Sequence, residues 1–196
     1  MQLAEVEGKL VYETPSDVHS RVCSPLLAPS DDIDCFVDAM RDPDYLRFCF
    51  VRNPFTRVLS CYLDKMVRVE FERRRLAPKL GFDPEKVPSF IDFLRAVVEQ
   101  KDEECDIHWT SQTYLLRPNR VRYSFIGRFE LFGEQLTMVC KKLSILQYND
   151  PAASWHATNA YKKVKEYIGR EEIDLIHRIY VCDFRNFSYG WSPELI

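Results

Sequence analysis

The fold is decided at residues 45–62, which read YLRFCFVRNPFTRVLSCY. The first part of this stretch, up to Val51, ends in an apolar and aromatic run, which is typical of a buried parallel strand. Asn53 can cap a helix and Pro54 suits the first position of one, so the chain should turn from strand to helix here. Apolar residues at helical spacing continue to Val69. The stretch therefore predicts a strand that passes directly into a helix.

The remaining chain carries patterns of both kinds. Apolar residues recur at helical spacing in several segments, and a second short apolar run is typical of a strand. Helices are predicted over 31–40, 90–100, 129–143 and 171–183, and the second strand over 123–127. Residues 1–30 show no regular pattern and are predicted to be irregular. The alternation predicts a single α/β domain over 1–196, with a small parallel sheet flanked by helices and its ligand at the carboxyl ends of the strands.

Composition limits the classes of function. The chain of 196 residues has 27 Lys and Arg against 30 Asp and Glu, which gives a net charge of −3. A general nucleic-acid binder carries a strong basic field, so nucleic acid is not the expected partner. An anionic ligand would have to be met by a local cluster of arginines.

Targeting signals and cysteines bear on where the protein acts. No window of about 18 apolar residues is present, and the acidic N-terminus lacks the apolar core of a signal peptide. The 7 cysteines are odd in number and widely spaced, which favours a reduced, cytoplasmic protein. Cys105 and His108 have the spacing of half a zinc site, but the sequence offers no matching second pair, so no metal is expected.

Three side chains around the predicted turn are candidates to grip an anion. Arg52 lies where strand meets helix, Arg57 lies in the first turn and a half of the helix, and Ser60 follows Arg52 by two turns. A helix N-terminus offers free N–H groups and partial positive charge, and an arginine fork adds directed hydrogen bonds. The same residues also fit a plainer interpretation, an arginine paired with acidic side chains beside a surface serine. Spacing alone does not decide between the two.

Four segments together resemble a known enzyme family. Residues 50–65, FVRNPFTRVLSCYLDK, resemble the 3′-phosphate-binding motif of the carbohydrate sulfotransferases, which use 3′-phosphoadenosine 5′-phosphosulfate (PAPS). The segments DIHWTSQ (106–112), YSFIGRFE (123–130) and IYVCDFRNFSY (179–189) are similar to three later motifs of that family, in the same order. The resemblance covers about residues 45–190.

This resemblance implies an activity and a donor site. It implies a P-loop-like, three-layer domain that transfers a sulfuryl group from PAPS to a carbohydrate hydroxyl. Arg52 and Ser60 match the residues that hold the 3′-phosphate, and Asn53 replaces the usual aspartate while keeping its capping role. Full-length members of the family can be anchored in the Golgi membrane. The oligomeric state is not implied.

Two residues at the end of the second predicted strand extend the donor site. Phe129 is similar to an aromatic that stacks on the adenine in related sulfotransferases, although it also fits a core aromatic. Arg128 fits a phosphate contact, or a simple pairing with Glu130.

Sulfuryl transfer also needs a base for the acceptor hydroxyl. His108 lies in the second family-like segment and is the candidate for that role. Its neighbour Trp109 could pack against a sugar ring. His108 also fits a structural histidine bonded to a backbone carbonyl, and rival bases stand close by at Glu103, Glu104 and Asp106.

One part of the family pattern is missing. Relatives bind the 5′-phosphosulfate through a loop after their first strand, and its lysine steadies the departing group. In this sequence the next lysine after Lys9 is Lys65, and the first Pro-Lys pair is Pro78-Lys79, which comes after the segment that resembles the 3′-phosphate motif. The N-terminal strand and loop are therefore expected to be absent, through truncation or degeneration. An inactive, sulfotransferase-like nucleotide or anion binder is the alternative to an active enzyme.

Overall fold

The computed structural model describes residues 5–6, 9–10, 31–144 and 158–193. The chain divides between two compact units. One unit comprises Met1–Arg47 and Leu136–His156, and the other comprises Phe48–Gln135 and Ala157–Ile196. The single domain over 1–196 stays a prediction.

The first unit contains a small antiparallel ladder and a helix. Strands β1 (Glu5–Val6) and β2 (Lys9–Leu10) pair antiparallel with each other, so the segment predicted to be irregular contains a short pair of strands. Helix α1 (Ile33–Arg41) confirms the helix predicted over 31–40. Asp32 caps it by accepting a hydrogen bond from Cys35 N at 2.9 Å.

The second unit begins with strand β3 (Phe48–Val51), which passes into helix α2 (Pro54–Tyr62). A π-helical turn (Leu63–Arg68) continues α2, and Val69 then adopts an extended conformation. The apolar stripe predicted to run on to Val69 is therefore not one regular helix.

The remaining elements follow in chain order. They are helix α3 (Glu70–Leu76), a 3₁₀ turn (Ala77–Leu80), helices α4 (Phe90–Val98) and α5 (Gln112–Leu116), strand β4 (Phe125–Arg128), a 3₁₀ turn (Phe129–Leu131), and helices α6 (Phe132–Lys142), α7 (Ala160–Tyr167) and α8 (Arg170–Asn186). The helices predicted over 90–100 and 171–183 are thus confirmed, and the helix predicted to begin at residue 129 begins with a 3₁₀ turn instead.

Strands β3 and β4 form a two-stranded parallel sheet, which confirms the small parallel sheet. Val51 lies opposite Arg128, so the two carboxyl ends meet at one edge. A Cβ at Gly127 would lie 2.5 Å from the Phe50 ring, so the glycine leaves room for that ring beside β4. Only Val51 is fully buried in β3, so the strand is less buried than its sequence indicates. The three-layer, P-loop-like arrangement stays a prediction.

The core of the second unit surrounds α2, which packs against α4, α7 and α8. The buried side chains of α2 are those of Pro54, Phe55, Thr56, Val58, Leu59 and Tyr62. Helix α8 kinks at Tyr180, whose hydroxyl donates to the Trp109 carbonyl at 2.8 Å. This packing holds α2 within the core of the second unit.

Candidate anion-binding site

The candidate site begins at the turn between β3 and α2. The Asn53 side chain caps α2 by accepting a hydrogen bond from Phe55 N at 2.9 Å. Pro54 occupies the first turn, where a missing N–H leaves no bond unmade. Both predictions for these residues are confirmed. The turn places Arg52 one residue before the cap, next to the positive end of α2.

Side chains from distant parts of the chain hold the backbone of this turn. Gln112 Oε1 accepts from Arg52 N at 2.8 Å, and Gln112 Nε2 donates to Arg52 O at 2.8 Å. Glu130 Oε1 accepts from Asn53 N at 2.7 Å. A backbone polar group left unpaired in such a place would destabilise the fold, so these side chains keep the turn in one conformation.

Tyr189 completes the set. Its hydroxyl lies 3.1 Å from the Val51 carbonyl oxygen and 3.0 Å from Glu130 Oε2. Burial and the adjacent Glu130 carboxylate raise the pKa of Tyr189, so the hydroxyl keeps its proton and acts as a donor.

The Arg52 side chain lies along the start of α2. Its Nε donates to Thr56 Oγ1 at 3.2 Å, and its guanidinium carbon lies 5.1 Å from the centroid of the Phe129 ring. Burial lowers the pKa of Arg52, Glu130 raises it, and the nearby Arg57 charge lowers it. The two arginines repel each other, so an anion at this place would be stabilised by both.

Arg57 carries the clearest sign of a missing partner. Its Nη1 is buried and has no hydrogen-bonding partner within the described part of the chain. Its guanidinium carbon lies 5.9 Å from the centroid of the Tyr180 ring. Nearly all buried polar atoms in folded proteins are paired, so an unpaired guanidinium nitrogen fits a site built for an anion. The plainer interpretation was that these arginines pair with acidic side chains. Among the described residues, neither Arg52 nor Arg57 makes a hydrogen bond to a carboxylate.

Ser60 has a partner that the sequence did not reveal. Its hydroxyl lies 2.8 Å from the Thr158 hydroxyl, just before α7. The two hydroxyls are 98 positions apart in the chain. The two hydroxyls lie side by side next to α2, and each can donate or accept a hydrogen bond.

Phe129 is not a core aromatic. Half of its surface, 50%, is exposed, and its ring leans against Phe132 with 5.6 Å between centroids. The exposed ring and the Arg52 guanidinium form one continuous surface at the carboxyl end of β4. The adenine-stacking role stays a prediction that this geometry permits.

Arg128 donates hydrogen bonds to backbone carbonyls that follow α8. Its Nη2 donates to the carbonyls of Phe187 and Ser188, at 3.2 and 3.1 Å, and its guanidinium carbon lies 4.7 Å from the Tyr189 ring centroid. Among the described residues no hydrogen bond or ion pair joins Arg128 to Glu130, whose two oxygens accept hydrogen bonds from Asn53 N and from the Tyr189 hydroxyl. Arg128 ties the end of α8 to β4, and a phosphate contact would have to use its other nitrogens.

His108 forms a carboxylate–histidine pair. Its Nδ1 lies 2.5 Å from Asp106 Oδ1, and the other oxygen of Asp106 lies 2.6 Å from Lys79 Nζ. Burial raises the pKa of Asp106, but hydrogen bonds from Lys79 and His108 outweigh this effect and lower it to about 2. Asp106 is therefore a weak base. The expected alternative, a bond from His108 to a backbone carbonyl, is replaced by this carboxylate.

Trp109 is a core residue and not a platform for a sugar. It is 0% exposed, its Nε1 donates to Gln100 Oε1 at 2.9 Å, and its ring meets Phe93 edge to face. The prediction that it packs against a sugar ring is therefore wrong. The apolar face of an exposed tryptophan is what such stacking needs, and none of this face is accessible.

The residues that hold the turn carry no local sequence pattern that assigns them a separate role. Gln112, Glu130 and Tyr189 all lie within the family-like segments, as does the buried Asp183. Asp183 accepts hydrogen bonds from Gln112 N at 2.8 Å and Thr113 N at 2.7 Å. The one sequence signal that could have found these residues is that they lie in the segments that resemble the family. Side chains from those segments hold the turn between β3 and α2.

Metal-ligating clusters and membrane-spanning helices are the remaining features to consider. Within 31–144 and 158–193, no cluster of three or more His, Cys, Asp or Glu side chains has the arrangement of a metal site. In the described part of the chain, no helix has the length and apolarity needed to cross a membrane.

The chain is similar to known sulfotransferases. The profile of the sulfotransferase family matches residues 28–190. Carbohydrate sulfotransferase 12 of Xenopus laevis is 25% identical over 180 residues, covering 78% of this chain and 42% of that protein. Carbohydrate sulfotransferase 14 of Homo sapiens is 30% identical over 159 residues, covering 74% and 42%. Carbohydrate sulfotransferase 9 of Homo sapiens is 27% identical over 172 residues, covering 74% and 38%.

The chain spans less than half the length of these relatives. No solved structure gives a significant match. The profile nevertheless covers most of the sequence, including the turn at Arg52 and every segment that supports it. The chain belongs to the sulfotransferase family.

Proposed function

We propose that this chain binds the sulfate donor PAPS through the turn between β3 and α2 and takes part in sulfuryl transfer to a carbohydrate hydroxyl. The observation that carries the proposal is the buried Nη1 of Arg57, which has no hydrogen-bonding partner among the described residues and lies near Arg52 at the N-terminus of α2. Two arginines, a helix end and the Ser60 hydroxyl suit the 3′-phosphate, which carries two negative charges. The exposed ring of Phe129 supplies a stacking surface for the adenine.

His108 is the proposed base. Its Nδ1 proton is held by Asp106, which leaves the Nε2 lone pair to accept the proton of the acceptor hydroxyl. The resulting imidazolium would be stabilised by the Asp106 carboxylate. Bound PAPS would supply the activated sulfuryl group, and this chain would hold the donor and receive the proton.

A second candidate function is donor binding without transfer. It follows from the family resemblance, which implies a separate lysine-bearing loop for the 5′-phosphosulfate, and from one observation, that this sequence has no lysine between Lys9 and Lys65. Binding that is equal in ground state and transition state does not raise kcat, so the Arg52 turn alone would bind and not catalyse.

Two measurements on the same protein separate these functions. Transfer of radiolabelled sulfate from PAPS to a panel of glycans reports catalysis, and calorimetric titration with adenosine 3′,5′-bisphosphate reports donor binding. If the chain binds the bisphosphate and also transfers sulfate, His108→Ala should lower kcat with little change in bisphosphate affinity, while Glu103→Gln should change neither. Binding without transfer supports the second candidate. No binding would refute both.

A further inference from the structure

We infer that Gln112 is a positioning residue of the donor site, because its side chain fixes the backbone of Arg52 and thereby aims the Arg52 guanidinium at the 3′-phosphate. This inference rests on the proposed function. Gln112 bonds to the backbone of Arg52, so its proposed effect on the ligand passes through Arg52.

The first line of evidence is the way Gln112 meets Arg52. Its side-chain amide accepts from the N–H of Arg52 and donates to the carbonyl of the same residue, both at 2.8 Å. Gln112 is only 6% exposed, so no water competes easily for these groups. The amide takes the place that the peptide of a neighbouring strand would occupy in a longer sheet, and it continues the ladder one residue past the end of β3.

The second line of evidence is that Gln112 is itself held in place. It is the first residue of α5, and the two first N–H groups of that helix donate to the fully buried Asp183 carboxylate of α8. Asp183 Oδ2 also lies 3.4 Å from Gln112 Nε2. A rigid path therefore runs from α8 through the start of α5 to the backbone of Arg52.

The geometric demand at Arg52 explains why such support is useful. Arg52 follows a strand of four residues that has a single neighbour among the described strands. A fork of two parallel hydrogen bonds to phosphate tolerates only small errors in angle, so a loose peptide at Arg52 would weaken the grip. Loss of Gln112 should reduce recognition of the 3′-phosphate more than recognition of the rest of the nucleotide.

The test compares two nucleotides that differ only in the 3′-phosphate. Adenosine 3′,5′-bisphosphate and adenosine 5′-phosphate are titrated into the wild-type chain and into Gln112→Met, which keeps the side-chain length and removes both hydrogen bonds. The preference of the wild type for the bisphosphate should fall by about tenfold in Gln112→Met. Gln100→Met is the matched control, because Gln100 also accepts one bond, from Trp109 Nε1, and donates one, to Lys79 O. Gln100→Met should keep the wild-type preference for the bisphosphate even if the substitution lowers the melting temperature.

A second variant covers the case in which Gln112→Met does not fold. Gln112→Glu keeps an acceptor for Arg52 N–H and regains a donor only when the new carboxyl group is protonated. Burial and the nearby Asp183 should raise the pKa of that group, so its bisphosphate preference, relative to wild type, should recover as the pH falls from about 8 to about 5.

The outcomes are distinct. A wild type that binds both nucleotides equally overturns the proposed function, and the inference with it. A wild type with a preference that Gln112→Met retains in full overturns only the inference. If the bisphosphate preference of Gln112→Glu, relative to wild type, does not change with pH, the inference is likewise overturned.

Discussion

Replacing Asp183 with asparagine should destabilise the second unit markedly. Asp183 is 0% exposed and accepts hydrogen bonds from Gln112 N at 2.8 Å and Thr113 N at 2.7 Å. Asparagine has one oxygen and one NH₂ group, so one of these donors would face another donor. A hydrogen bond to a charged group contributes about 1.5–3 kcal/mol, and a buried donor left unpaired costs about 1–3 kcal/mol. We expect Asp183→Asn to lower the free energy of unfolding by about 2–4 kcal/mol.

Urea unfolding followed by circular dichroism measures this loss. Asp174→Asn is the matched control, because Asp174 is exposed on the same helix, and it should change the free energy of unfolding by less than about 0.5 kcal/mol. If Asp183→Asn unfolds within about 0.5 kcal/mol of that control, the carboxylate does not organise the start of α5, and the reasoning is wrong.

Three further predictions concern other residues. The pKa of Asp106 is lowered from 3.8 to about 2, because the hydrogen bonds from Lys79 and His108 outweigh the effect of burial. The stabilisation that the Asp106 carboxylate gives the fold is therefore present above pH 3.8 and is lost as the pH falls towards about 2. Urea unfolding of wild type and Asp106→Asn should therefore differ near neutral pH and converge near pH 2, and a constant difference would contradict the assignment. Trp109→Ala should lower the free energy of unfolding by about 3–5 kcal/mol because the ring is fully buried, and a loss below about 1 kcal/mol would contradict its place in the core. Phe129→Ala should weaken both adenosine nucleotides alike, by about 1–3 kcal/mol in calorimetry, whereas an unchanged affinity would exclude adenine stacking.

The sequence was sufficient for the turn at the centre of the site. Asn53 and Pro54 are strong local signals, since each acts through backbone groups within a few residues. Ser89 caps α4 in the same local way, because its side chain accepts a hydrogen bond from Asp92 N. Helix α7 escaped prediction because only Ala160 and Val164 are buried in it, which leaves too narrow an apolar stripe to recognise.

Long-range contacts explain what sequence reasoning missed at the site. The bond between Ser60 and Thr158 and the bonds from Gln112 to Arg52 join residues that no local pattern relates. Trp109 was misjudged because an aromatic beside a candidate base fits a sugar platform and a core position equally well. Its burial depends on Phe93 and Gln100, which lie on and just after α4.

The most direct test of the central claim is the affinity of Arg52→Ala for adenosine 3′,5′-bisphosphate, measured by calorimetry beside the wild type. Arg74→Ala serves as control, because Arg74 is exposed and lies in α3. The account predicts that Arg52→Ala loses about 1.5–3 kcal/mol of binding free energy for the bisphosphate and almost none for adenosine 5′-phosphate. Equal bisphosphate affinity in wild type and Arg52→Ala would contradict the claim that this turn holds the 3′-phosphate of the donor.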